Sequence, residues 1–162
     1  MKKQLLTIAL MLMAGFSFAQ SPIAKGQTQL NFGTGFSSYG LPLYIGMDYG
    51  VHPDITIGGE LSFESFNKWG YHHNVIGISG NGNYHFNTVL NIPSNWDFYA
   101  GLNVGFYIWN SDGDYKGDHS SGLGLGAQIG GRYYWNERWG VNLEFGGGNE
   151  FSGGKIGLSV KF

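Results

Sequence analysis

The sequence predicts an all-β fold, an eight-stranded antiparallel up-and-down transmembrane β-barrel. Three observations carry that expectation. Apolar residues recur at every second position through most of the chain, so each strand has one greasy face and one polar or tiny face. The 162 residues include 29 Gly and are 17% aromatic but only 12% charged, a balance that suits strands and turns rather than helices. Connections of a few residues alternate with longer polar ones, as in barrels with short inner turns and long outer loops.

The N-terminus reads as a processing segment. Met1-Lys2-Lys3 is a basic start, Leu5 to Gly15 is apolar, and Phe16-Ser17-Phe18-Ala19 ends on small residues. Residues 1–19 are therefore expected to be a signal peptide, with 20–162 as the barrel domain. Removing 1–19 leaves seven basic and eleven acidic residues, a net charge near −4, so nucleic acid is not an expected partner. The chain has no cysteine, which excludes disulfides and thiolate metal sites. After residue 19 no apolar stretch approaches the length of a spanning helix. A membrane location then requires a closed barrel, the other structure that satisfies its own backbone in lipid.

The elements follow in order. Gln20 to Gly26 is a linker, and Gln27 to Ser37 alternates with Leu30, Phe32 and Phe36 on one side. Leu43, Ile45, Met47, Tyr49 and Val51 form the next row, closed by a turn at His52-Pro53-Asp54. Ile55, Ile57, Leu61 and Phe63 follow, then a polar-aromatic loop from Asn67 to His73. Ile76, Ile78, Tyr84 and Phe86 precede a longer connection, Asn87 to Asn95, which is the misfit of the scheme because it falls on the short-turn side. The longest row runs from Trp96 to Ile108 and ends in a polar loop, Asn110 to Ser120. Leu123 to Trp135, a turn at Asn136-Glu137-Arg138, Trp139 to Phe145, and a final strand of Ile156, Leu158, Val160 and Phe162 complete the chain.

Charge supports this division of faces. Asp48, Glu60, Glu64, Asp97, Arg132, Glu144, Lys155 and Lys161 lie within strands, all opposite the apolar rows. A soluble ligand-binding barrel also alternates, with its apolar face inward, so periodicity alone leaves that alternative open. Aromatics on the apolar parity crowd the short-turn end: Tyr49, Tyr84, Phe86, Trp96, Phe98, Tyr133, Trp135, Trp139 and Phe162. That is the expected aromatic girdle of a membrane barrel. The opposite face is rich in Gly, which leaves room inside a narrow barrel for Tyr44, Tyr99, Tyr107, Tyr134 and Arg132.

An interior polar network of Asp48, Glu60, Glu64, Arg132, Glu144 and Lys155 is expected to fill and neutralise the core, ahead of a gated or proton-conducting path. With the turn at 136–138 as hairpin centre, residue 132 opposes 142 and 130 opposes 144, so Arg132 and Glu144 are diagonal neighbours. Lys155 should approach Glu144 from the other side, while the diagonal Asp48 and Glu60 need a cation or a proton.

The signal segment, the alternating strands, Tyr84-His85-Phe86, Phe98-Tyr99-Ala100-Gly101-Leu102 and the terminal Phe162 together resemble the small OmpA/OmpX-like outer-membrane β-barrels. The resemblance covers 27–162 and implies the cell outer membrane, lipid and lipopolysaccharide as surroundings, and structural, adhesion or host-contact roles. It also implies that Ile156, Leu158, Val160 and Phe162 are the signal read by the barrel-assembly machinery.

Chemistry is sparse. Asp112-Gly113-Asp114-Tyr115-Lys116-Gly117-Asp118 starts like a calcium loop, but Lys116 and Leu123 occupy ligand positions, so a solvated outer loop is expected and no metal. His119-Ser120-Ser121 resembles the His-x-Ser of lipid A deacylases, but Gly122 replaces the following Asn and no outward acid orients the His. His72 and His73, being adjacent on an extended segment, would face opposite ways. The expected function is thus non-enzymatic, without a cofactor, through loops at 37–42, 65–73, 109–121 and 147–153 that could meet an extracellular ligand. The alternatives are a lipid A-modifying hydrolase, a narrow porin-like channel and a soluble ligand-binding barrel.

Overall fold

A computed structural model describes residues 22–36, 40–68, 70–111, 121–148 and 153–162. The signal segment, the Asp112–Asp118 loop and His119 lie outside them. The strands are β1 (Thr28–Phe36), β2 (Leu43–His52), β3 (Ile55–Lys68), β4 (Tyr71–His85), β5 (Trp96–Ser111), β6 (Gly122–Tyr134), β7 (Trp139–Gly148) and β8 (Gly153–Lys161), with one helical turn, α1 (Asn87–Leu90), between β4 and β5. Every strand pairs antiparallel with its sequence neighbour, and β8 returns to β1 from Gln29↔Lys161 to Phe36↔Gly154. The sheet is therefore a closed barrel, which leaves no strand edge to be satisfied by solvent.

The turns at 53–54 and 135–138, the connection 86–95 and Phe162 define one end, here the lower rim. Each lower turn has a local reason. Pro53 has no N–H to offer a ladder, and the Asp54 N–H bonds to His52 Nδ1 at 3.2 Å. Asn136 Oδ1 accepts from the Arg138 and Trp139 N–H groups at 2.9 and 2.7 Å, an Asx turn.

The upper rim differs from the expectation at one hairpin. The loop expected at 67–73 is almost entirely strand, because β3 and β4 pair up to Lys68↔Tyr71. Gly70, at φ 82°, supplies the left-handed step. The alternation is hidden there because Phe66 and His73 point inward, stacking at 5.2 Å, and Trp109 meets Phe66 edge-on at 6.1 Å. β5 likewise runs on to Ser111, past the start of the loop expected at 109. His72 and His73 do face opposite ways: His72 is exposed and His73 buried.

The polarity of the barrel is inverted relative to a water-soluble protein. Leu102, Ile129, Leu123, Leu125, Ile78 and Leu61 stand 52–71% exposed on the outer wall. Fully buried side chains include Gln29, Thr56, Asn83, His85, Asp97 and Ser159. The eight charged residues expected within strands all lie on the inner parity. A soluble barrel with an apolar lumen is thereby excluded as a description of this fold.

Glycine makes the lumen fit. In register, Tyr44 opposes Gly33, Tyr99 opposes Gly130, Tyr107 opposes Gly77 and Tyr134 opposes Gly140. A Cβ on Gly77 or Gly140 would come to 2.8 Å of the facing Tyr ring. A Cβ on Gly130 would likewise lie 2.8 Å from Tyr99 Cε1 and against its hydroxyl end. Gly130→Ala must therefore displace Tyr99, and overpacking of this kind costs about 1–3 kcal/mol. Urea unfolding of the variant in bilayers is expected to show that loss, whereas Gly82→Ala, which meets nothing within 4 Å, should unfold like the parent.

Candidate functional site

The lumen is occupied by two ion clusters joined by hydrogen bonds. In the lower cluster Arg132 stands opposite Asp97 in the β5–β6 ladder. Its guanidinium bonds Asp97 Oδ2 at 3.1 Å and reaches across the barrel to Asp48 Oδ2 on β2 at 2.7 Å. It also lies 4.3 Å from the Tyr99 ring centroid. Arg132 and both partners are no more than 3% exposed, so the ions are compensated by one another rather than by water.

Amides and hydroxyls complete the lower layer. Asn31 donates to Asp48 Oδ2 at 2.9 Å, and Gln29 and Ser159 both donate to Asn31 Oδ1 at 2.7 Å. Asn142 donates to Ser159 at 3.0 Å and accepts from the Tyr44 hydroxyl at 2.6 Å. Tyr134 donates to Gln29 Oε1. These bonds link β1, β2, β6, β7 and β8 and brace the barrel across its width.

The upper cluster centres on Lys155. Its ammonium lies 2.8 Å from Glu60 Oε2 and 2.7 Å from Glu144 Oε1. Glu144 directly opposes Lys155 in the β7–β8 ladder, and its other oxygen accepts from the Tyr99 hydroxyl at 2.8 Å. Tyr99 therefore couples the clusters, touching Arg132 with its ring and Glu144 with its hydroxyl. Two cavities of about 20 Å³ lie along the lumen, and Glu60, Asn81, Glu144 and Lys155 line both. Each has room for about one water molecule.

At the lower end, Thr56, His85 and Asp97 form a hydroxyl–imidazole–carboxylate relay. His85 Nδ1 donates to Asp97 Oδ1 at 2.7 Å, and Nε2 meets Thr56 Oγ1 at 3.0 Å. The order matches a nucleophile, base and orienting acid. All three side chains are nevertheless completely buried, so no substrate reaches the hydroxyl in this conformation. The relay closes the base of the lumen.

The outer wall carries the second candidate surface. Tyr49, Tyr84, Phe86, Trp96, Phe98, Tyr133, Trp135, Trp139 and Phe162 all lie on the outer side at the lower end. Trp96 stacks on Phe98 at 5.8 Å and meets Tyr133 at 4.8 Å, while Tyr84 meets Phe86 at 5.4 Å. Above this row the wall is aliphatic at mid-height, and Phe36, Phe63, Phe106 and Phe145 are exposed on it toward the upper end.

No protein-family model matches the chain, and no curated protein matches it. Solved structures do. OprG of Pseudomonas aeruginosa, an outer membrane protein, superposes with a TM-score of 0.63 at 11% identity, over 88% of this chain and 99% of that one. The N-terminal β-barrel domain of OprF from the same organism gives 0.59 at 16% identity, over 85% and 98% of the two chains. Neisserial surface protein A gives 0.55 at 17% identity, over 83% and 93%.

The fold is that of the small eight-stranded outer-membrane barrels. At these identities the likeness establishes the OmpA/OmpX-like architecture of the barrel and leaves its chemistry to its own residues.

Those residues are arranged partly as expected. Arg132↔Asn142 and Gly130↔Glu144 are the pairs the turn at 136–138 dictates. Lys155 meets Glu144, and it also supplies the cation that Glu60 needs. Arg132, in contrast, has its ion pairs with Asp48 and Asp97 among the described residues, while its diagonal neighbour Glu144 is engaged by Lys155 and Tyr99. The ladder partner outcompetes the diagonal one because it lies directly across. Glu64 is buried four residues above Glu60 on the same face, beside Gly40. Sequence reasoning puts Asp97 inside but not in the network, and misses His85 and Thr56. A β5–β6 register would have found Asp97, but a long loop specifies none. Ser121, half of the His-x-Ser pair, accepts from the Trp109 N–H at 3.2 Å.

Along β8, Ile156 is exposed on the outer wall, whereas Val160 is buried at 6% between Leu30 and Trp139 in the ladders. Phe162 is 65% exposed, with its N–H bonded to the Thr28 carbonyl at 2.9 Å.

Proposed function

We propose that this chain is an integral outer-membrane β-barrel with a plugged polar interior, acting without catalysis as a structural or surface-contact protein through its upper rim. The observation that carries the reading is the inverted polarity: an apolar outer wall with an aromatic row at its lower end, around a lumen of paired charges. Water penalises that arrangement and lipid rewards it. In this reading the aromatic row is the girdle at the periplasmic boundary. Ile156, Leu158, Val160 and Phe162 are the segment read by the assembly machinery, and an export signal precedes the barrel.

The plugged interior is supported by the two clusters and, among the described residues, by lumen cavities of about 20 Å³. A surface role is supported by two of the three longer connections, 37–42 and 112–121, which join strand ends at the upper rim, the third being 86–95 at the lower rim. Extracellular ligands and lipopolysaccharide are the partners that rim would meet.

Gel mobility tests the reading. The membrane fraction should contain a band that shifts on boiling, as a closed barrel does when it unfolds. Recovery in the soluble fraction with no shift would overturn the membrane assignment. In planar bilayers the purified protein is expected to show no steady conductance; stable open channels would overturn the plug.

A further inference from the structure

The 86–95 connection is long for its rim, and none of its residues is charged: Phe86-Asn87-Thr88-Val89-Leu90-Asn91-Ile92-Pro93-Ser94-Asn95. It is also firmly held. Asn87 is completely buried at the barrel mouth and donates to the Trp96 carbonyl at 2.6 Å. Thr88 bonds the Asp54 carboxylate in the neighbouring turn. The Leu90 and Ile92 N–H groups bond the Phe86 and Asn87 carbonyls at 2.9 Å, and Asn91 ends the helical turn at φ 53°.

This anchoring fixes where the aliphatic side chains go. Residues of a helix are spaced about 100° apart around its axis. Val89 therefore falls nearly opposite Asn87, away from the lumen, and Leu90 nearly opposite Thr88, away from the Asp54 turn. They are 63% and 65% exposed. The residues that enter and leave the connection, Phe86 and Trp96, belong to the outer aromatic row.

We infer that the 86–95 connection is an interfacial lipid anchor, which inserts Val89 and Leu90 into the leaflet at the lower rim. The inference rests on the membrane-barrel reading. Lipid is favoured over a periplasmic protein because the connection is uncharged and continuous with the aromatic row. Its stiffness means that no ordering of the chain opposes insertion. Burial at the boundary between headgroups and acyl chains, about 5–10 Å deep, is the range of interfacial helices.

The absence of cysteine makes a direct test simple. Single variants Val89→Cys, Leu90→Cys, Ile45→Cys and Glu137→Cys would carry a nitroxide in bilayers of phosphatidylethanolamine and phosphatidylglycerol. Collision with oxygen, which partitions into lipid, is compared with collision with a water-soluble nickel chelate. Labels at 89 and 90 are expected to favour oxygen several-fold over the label at 137, approaching the label at 45. If 89 and 90 match 137 while 45 reports lipid, the anchor is wrong and the barrel reading stands. If 45 also reports water, both fall. Spin–spin broadening at 89 that vanishes on dilution with unlabelled protein would show that a second copy covers the turn, and would overturn the lipid assignment.

Discussion

Replacing Arg132 with Met is expected to destabilise the barrel by about 3–5 kcal/mol, the cost of stripping one partner from a buried ion cluster. Asp48 and Asp97 would remain at most 3% exposed, facing each other's surroundings without a cation. Met keeps the unbranched stem as far as the Nε position but has no guanidinium, so the loss combines the stranded carboxylates with the space the guanidinium leaves. The Tyr99 ring would also lose the guanidinium 4.3 Å from its centroid. Urea unfolding in lipid bilayers, followed by the boiling-dependent gel shift, measures the change. A triple variant, Arg132→Met with Asp48→Asn and Asp97→Asn, removes the stranded charges and is expected to recover most of the loss. If the single variant unfolds like the parent, the lower cluster does not hold the barrel together. Arg132 is chosen over Lys155 because the upper cluster is 10–16% exposed and is partly screened by solvent.

Replacing Leu102 with Arg is expected to cost about 2–4 kcal/mol if the outer wall lies in lipid. Leu102 is the most exposed large apolar residue among those described, at 71%. It sits midway between the lower aromatics Trp96 and Phe98 and the upper end of the apolar row at Ile108, which places it near the bilayer midplane. Its ladder neighbours are Gly82 and Ala127, so the new side chain meets no steric obstacle there. The same substitution on a water-facing wall changes stability by no more than about 0.5 kcal/mol. Unfolding of Leu102→Arg in bilayers therefore separates the two environments, and an unchanged midpoint would place the wall in water.

Much of this barrel is legible in the residues because the strand period is two. Ile45, Met47 and Tyr49 against Tyr44, Gly46 and Asp48 announce a two-faced strand without tertiary information. Tight turns add register: the Asn136 turn is enough to pair Arg132 with Asn142. Where the turn is hidden, prediction stops short. Phe66 and His73 put aromatic and imidazole rings on the inner face, the pattern reads as a loop, and two strands are cut several residues early. The helical turn at Asn87–Leu90 is also invisible, since one turn offers no periodicity to detect.

The network shows the same division. Each charged residue's face is readable, but its partner is not. Glu144–Lys155 spans a single ladder and can be anticipated. Arg132–Asp48 and Lys155–Glu60 cross the lumen between strands that are not neighbours, and such pairs exist only once the sheet has closed with its particular tilt and stagger. The sequence by itself determined the strand count, the two faces and the charges confined to one of them. Only the tertiary structure decided that the apolar face points outward. Alternation is unchanged when inside and outside are exchanged, so the direction of curvature settles which face meets the surroundings. Tyr99, Tyr107 and Tyr134, each fitted over the glycine across the ladder, show which way the wall bends.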